Sequence, residues 1–187
     1  MLRTTWLVLF LLFASWAVRS QSRFPATDKS PLDISYFPAN YPILKIQNKT
    51  TEAPLARIIY SRPQKSGRIL FGDLVEYGKI WRLGANEATE LELFKDVRVA
   101  DKKIKKGRYT LYAIPTPESW TLILNKDLDT WGAFQYDPGK DVIRVNVIPE
   151  INPEIQETFT LVFEGSKEKA FLVIAWDNFI AKLPLSW

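Results

Sequence analysis

The segment Trp81-Arg82-Leu83-Gly84-Ala85-Asn86-Glu87-Ala88-Thr89 concentrates a cation, an amide, a carboxylate and a hydroxyl in a few residues. Such a set suits a binding pocket. Arg82 can grip a carboxylate with two parallel N–H bonds, while Asn86 and Glu87 orient polar groups. The same residues can instead serve loop geometry, with Asn86 or Thr89 bonding loop backbone and Arg82 pairing with Glu87. Gly84 permits an unusual backbone conformation or the close approach of another group. Arg62 and Arg68, beside Pro63 and Gly67, can add to an anion site next to Arg82. Arg62 touches the end of a strand, whereas Arg68 reads as a solvated loop charge. Trp131, with Gly132, Phe134 and Tyr136 after it, offers an aromatic surface for a sugar or peptide, or pins its loop to the core. The expected site is therefore one concave patch lined by Arg82, Asn86 and Glu87, with Arg62 and Trp131 at its rim.

Catalysis has fewer groups to draw on. The chain holds no histidine and no cysteine. That removes His and Cys nucleophiles and bases, disulfides and any Cys/His zinc site. Carboxylates, lysines and tyrosines remain as general acids and bases. Glu87 with Asp73 or Asp127 would make a glycosidase-like pair, and Ser61 with Lys126 a Ser–Lys nucleophile that no motif supports. Asp127-Leu128-Asp129, with Asp137 and Asp141 nearby, resembles a calcium loop but lacks its glycine and terminal glutamate. No metal site and no cofactor is expected.

These residues need a scaffold, and the chain has the material for one. Of 187 residues, 47% are hydrophobic and 13% aromatic, enough for a sizeable core. The formal charge of +4 is spread along the chain without a basic block, so a nucleic-acid partner is not indicated. From Leu55 onward hydrophobicity alternates with period two. Strands are expected at 55–60, 89–93, 108–114, 120–124, 142–148, 158–163, 170–176 and 179–185, with a hairpin over 97–105. Leu91, Leu93, Tyr109, Leu111, Trp120, Leu122, Leu124, Val145, Val147, Phe159, Leu161, Phe163, Val173 and Ala175 form the expected core, with Glu90 and Glu92 in water. Pro38, Pro42 and Pro54 exclude a helix from 32–54, which reads as an extended edge segment. No stretch has a sustained helical period. The reading is an all-β, antiparallel β-sandwich or jelly-roll-like domain of about nine strands over 32–187, preceded by a flexible arm at 21–31.

Residues 1–20 read as an address. Arg3 precedes the apolar run Trp6–Ala14, and Val18-Arg19-Ser20 ends in a small residue, so cleavage before Gln21 is expected, with Ala17 a second candidate position. The run is short of the ~20 residues a spanning helix needs, and no membrane span is expected once the leader is removed. A cysteine-free exported chain points to a periplasmic or secreted location.

The order Tyr60-Ser61-Arg62-Pro63, Gly67-Arg68, Phe71-Gly72, Tyr77-Gly78 and then Trp81–Thr89 continues with Gly107-x-Tyr109-x-Leu111, Ile114-Pro115, Trp120, Asn125-Lys126 and Trp131-Gly132. This pattern resembles the family catalogued as domain of unknown function 2911, found in exported bacterial proteins. The resemblance covers roughly Leu32 to the C-terminus. It implies an envelope location, a β-sandwich-like domain and no established active site. The missing His and Cys favour a non-enzymatic binding or interaction module for a small polar ligand, glycan or envelope protein. The alternative is a carboxylate-dependent glycan hydrolase.

Overall fold

A computed structural model describes residues 24–187; the expected leader over 1–20 and its cleavage position lie outside the described residues. Ten strands form two antiparallel sheets. The larger is ordered β1 (Leu32–Phe37), β2 (Ala56–Ser61), β3 (Glu90–Leu93), β6 (Gly107–Pro115), β7 (Trp120–Asn125), β8 (Asp141–Val147). The smaller is ordered β5 (Lys102–Ile104), β4 (Val97–Val99), β10 (Ala170–Ser186), β9 (Glu150–Gly165). This is the all-β sandwich that the alternation predicts. Among the described residues no helix is long and apolar enough to cross a membrane.

Side chains that alternate inward from both sheets meet in one core. Ile58, Leu91, Leu111, Leu122, Phe159 and Leu161 are almost wholly buried there. At one end the core becomes aromatic. Trp81 lies 5.9 Å from Trp176 with nearly parallel rings, 5.4 Å from Phe159 and 6.0 Å from Trp120. Phe71 closes this cluster, 4.9 Å from both Trp120 and Phe179. Offset and edge-on rings at these spacings add to the stabilisation from burial alone. Trp81 and Phe71 come from segments outside the regular strands, so their loops are anchored in the core between the sheets.

The structure corrects three expectations. First, a short helix, α1 (Tyr41–Ile46), follows β1. Pro42 sits in its first turn, where the missing N–H has no intrahelical acceptor to lose, so this proline starts a helix rather than forbidding one. Second, β10 faces the other way. Leu172, Ile174 and Trp176 join the core, whereas Ala175 is only half-buried and Val173, though buried, lies outside the main cluster. Both alternating sets of this strand are apolar, so period two carries no sign there. The separate strand expected at 179–185 is the continuation of β10. Third, Glu90 is not in water: its carboxylate accepts from the backbone N–H of Asp129 at 2.8 Å and pairs with Arg108.

That third difference marks a feature of the larger sheet. Its outer face is partly covered by 80–89 and 126–140. Ala88, Tyr112 and Ile123 form a small second cluster there, with Ile80, Ile114, Ala133 and Tyr136 packed on it.

Candidate functional site

The segment 81–89 begins as a continuation of the larger sheet. Trp81 exchanges two backbone hydrogen bonds with Ala113, at 2.7 and 2.9 Å. The chain then folds back on itself. Thr89 N donates to Arg82 O at 3.1 Å, and Thr89 Oγ1 donates to Leu83 O. Gly84 packs over the end of β2, where a Cβ would stand 2.7 Å from Ser61 Oγ, and its φ of +150° lies in the range that side chains rarely adopt. Ser61 Oγ donates to Ala85 O at 2.6 Å and accepts from Ala85 N at 2.5 Å. The Ser61 hydroxyl is thus a buried tie, not a free nucleophile. Thr89 and Ser61 take the loop-building role that the sequence left open to Asn86 or Thr89.

The outer part of the loop pairs with 130–132. Ala88 N donates to Thr130 O at 3.0 Å and Gly132 N to Asn86 O at 2.9 Å, which sets Glu87 directly opposite Trp131. Residues opposite each other between such bonds share one face of the ribbon and bring their side chains close. Two site residues from distant parts of the sequence are therefore neighbours.

Beside this ribbon lies a groove of about 280 Å3. Leu32, Ile59 and Ala88 make its apolar part, and Glu87, Glu90, Asp129 and Thr130 its polar part. Trp131 adjoins it through its neighbour Thr130 and its partner Glu87, and is 62% exposed. Phe134, folded over Gly132, is 84% exposed. Glu87 is exposed and has no hydrogen bond or ion pair among the described residues. Glu90 and Asp129 both bind Arg108, Asp129 at 2.9 Å. Those two carboxylates raise the Arg108 pKa above the usual range, chiefly through the hydrogen bond that Arg108 donates to Glu90.

The 125–141 loop is held from within. The Asn125 amide donates to Asp137 O at 2.9 Å and to the Asp141 carboxylate at 2.7 Å. Tyr136 donates to Asp141 at 2.7 Å, and its phenol is pushed up to about 12, first by burial and then by that bond. Tyr112 and Thr130 share a hydroxyl hydrogen bond at 3.1 Å. Tyr136 and Ala133 face the small cluster, leaving Trp131 and Phe134 outside. Each acid of the calcium-like cluster is occupied. Asp127 takes Lys140 at 3.0 Å, Asp137 caps the 3-10 turn Pro138–Lys140, and Asp141 takes Arg144 at 2.8 Å. Among the described residues no group of three or more acids is placed to hold a metal ion.

Other expected site residues lie elsewhere. Arg62 joins the two sheets, reaching Asp33 at 2.9 Å, the Phe159 carbonyl at 3.3 Å and Thr160 at 3.1 Å. With its donors spent on β1 and β9, it does not line the groove. Arg68 donates to the carbonyls of Gln64 and Lys65 in its own loop. Arg82 and Asn86 share the folded-back segment but are not among the groove's lining residues, and Arg82 does not pair with Glu87. Leu32, Ile59, Glu90 and Thr130 were not anticipated as site residues, and Asp129 was considered only for the calcium-like loop. The pairing of β1 with β2, and of 86–88 with 130–132, brings them together, and neither pairing has a local signature.

No curated protein and no solved structure matches the chain. Residues 43–185 match the family described as "Protein of unknown function (DUF2911)", which covers most of the sandwich, including both segments that form the Glu87–Trp131 ribbon. The chain therefore belongs to the DUF2911 family.

Proposed function

We propose that the protein is a non-enzymatic binding module of the cell envelope, and that the groove beside the Glu87–Trp131 ribbon takes a small polar ligand or a glycan. One observation carries this reading: an unpaired carboxylate that lines a partly apolar groove stands directly opposite an exposed tryptophan. Sugars offer hydroxyls to a carboxylate and a C–H face to an indole, and a pocket with a few placed polar groups and an apolar wall suits such a ligand. Backbone hydrogen bonds on both sides of Trp131 limit the ordering cost of binding. The envelope assignment rests on the leader-like run Trp6–Ala14 and the lack of cysteine.

A glycan hydrolase is the second reading, because Glu90 and Asp129 line the same groove as Glu87. Hydrolysis needs a second carboxylate free to move a proton or attack. Here both candidates are engaged by Arg108, and Glu90 also accepts from the Asp129 backbone. Of the two partners considered from sequence, Asp127 is paired with Lys140 and Asp73 does not line the groove. The test is mass spectrometry of small molecules retained by native protein, compared with the Trp131→Ala variant. A polar or saccharide species retained by the native protein and absent from the variant supports the reading. Equal retention, or none in either, refutes it.

A further inference from the structure

Seven arginines lie among the described residues. Arg57 pairs with Glu92 at 2.6 Å, Arg62 with Asp33, Arg108 with Glu90 and Asp129, and Arg144 with Asp141. Arg68 and Arg98 each donate to a backbone carbonyl at 3.0 Å. Among them the Arg82 side chain alone has no ion pair and no hydrogen bond, and its Nε is buried.

Its position is fixed from both sides. The residue before it is locked to Ala113, and its own carbonyl accepts from Thr89 N. The Trp81–Ala113 bridge sets Arg82 opposite Tyr112, on the outer face of the larger sheet near the small apolar cluster. Burial pulls the guanidinium pKa below the usual arginine range, and no carboxylate opposes that effect.

A half-buried guanidinium whose buried Nε–H has no acceptor is unfavourable, because the hydration of that group is lost without replacement. We infer that Arg82 receives the carboxylate of an exogenous ligand on its two terminal nitrogens, the donors left open beside the buried Nε. Two parallel Nη–H donors match the two oxygens of a carboxylate. A phosphate monoester brings close to two negative charges. Arg82 has no second cation acting on it, so a single negative charge is the better complement. This inference stands apart from the groove reading, since Arg82 does not line the groove.

Sodium acetate is the probe, with sodium chloride at matched ionic strength as the control. In the 15N-labelled protein the Arg82 Nε–H resonance is assigned by its absence in Arg82→Lys. Acetate should shift it saturably, with a midpoint of roughly 1–100 mM as expected for one charge-assisted contact, and chloride should not. Arg82→Gln should melt at or above the wild-type temperature in acetate-free buffer, because an uncompensated charge is gone, and should lose any acetate-dependent rise. No saturable shift with acetate, or an equal one with chloride, overturns the proposal. A larger saturable shift with inorganic phosphate overturns the carboxylate assignment. A fall of several degrees in acetate-free Arg82→Gln reveals a partner within the chain and overturns it as well.

Discussion

Ser61→Ala separates a structural hydroxyl from a catalytic one and measures how firmly the folded-back loop is held. Ser61 is 1% exposed and satisfies both backbone groups of Ala85, at 2.6 and 2.5 Å. Removing the hydroxyl leaves a backbone N–H and a carbonyl without that partner. A buried polar group that loses its partner costs about 1–3 kcal/mol. Two groups are affected, but Ala85 is itself half-buried and water can reach part of the deficit, so about 2 kcal/mol is the working figure. At roughly 2–4 °C per kcal/mol for a domain of this size, the melting temperature should fall by about 4–8 °C. Differential scanning calorimetry and urea unfolding give two independent readings, and the urea midpoint should fall with the slope unchanged. A melting temperature within about 1 °C of wild type would refute the reasoning, since a tie worth about 2 kcal/mol must show on this scale.

Further outcomes follow from packing and titration. Ile174→Ala should cost about 2–5 kcal/mol, and Val173→Ala less than half as much, since only Ile174 belongs to the main core; the reverse order in urea unfolding would turn β10 over. The Asp96 carboxyl is held at about 2, first by the Lys106 backbone N–H and then by Lys105. Its contribution to stability is present above the ordinary value of 3.8 and is lost as pH falls through about 2. A carboxyl-carbon NMR titration should place its midpoint near the lower value, and a midpoint at the ordinary one would contradict the contacts. The Tyr136 phenol should ionise near 12, so the stability it contributes is complete below the ordinary 10.0 and is lost as pH rises through about 12. The ultraviolet difference titration of wild type against Tyr136→Phe checks this, and a phenolate midpoint at the ordinary value would contradict both the burial of the phenol and its bond to Asp141.

The strands whose two faces differ in polarity could be read in advance. In β3 the buried residues are Leu91 and Leu93, and in β6 Tyr109, Leu111 and Ala113 point to the core as their alternation requires. Reading failed where alternation is blunted. β10 is apolar on both faces. Most of β9 from Glu150 to Glu157 is exposed and holds Pro153, which hid the strand's first half. Tyr112 and Ile123 are buried on the outer face because loop segments cover them, an effect no local period contains. The site divides similarly. Glu87 and Trp131 were singled out as residue types suited to binding, but their adjacency depends on a backbone bridge across more than forty residues. Arg62 had the right chemistry and the wrong neighbours: Asp33 and Thr160, brought in by β1 and β9, claim its donors. Glu90 looked solvent-facing because strand alternation says nothing of a second layer over the outer face.

The central claim is that the groove binds a polar or saccharide ligand without transforming it. Its most direct test is a titration of 15N-labelled protein with a panel of soluble neutral and acidic oligosaccharides, following the Trp131 indole N–H and the length of the sugar in the same tube. The account predicts a saturable shift of the Trp131 signal with at least one member and sugars of unchanged length. The shift should be weakened by Glu87→Gln in a variant that melts at the wild-type temperature, because Glu87 is exposed and unpaired. A panel that leaves Trp131 unmoved, or a sugar shortened by wild type and left intact by Glu87→Gln, would contradict it.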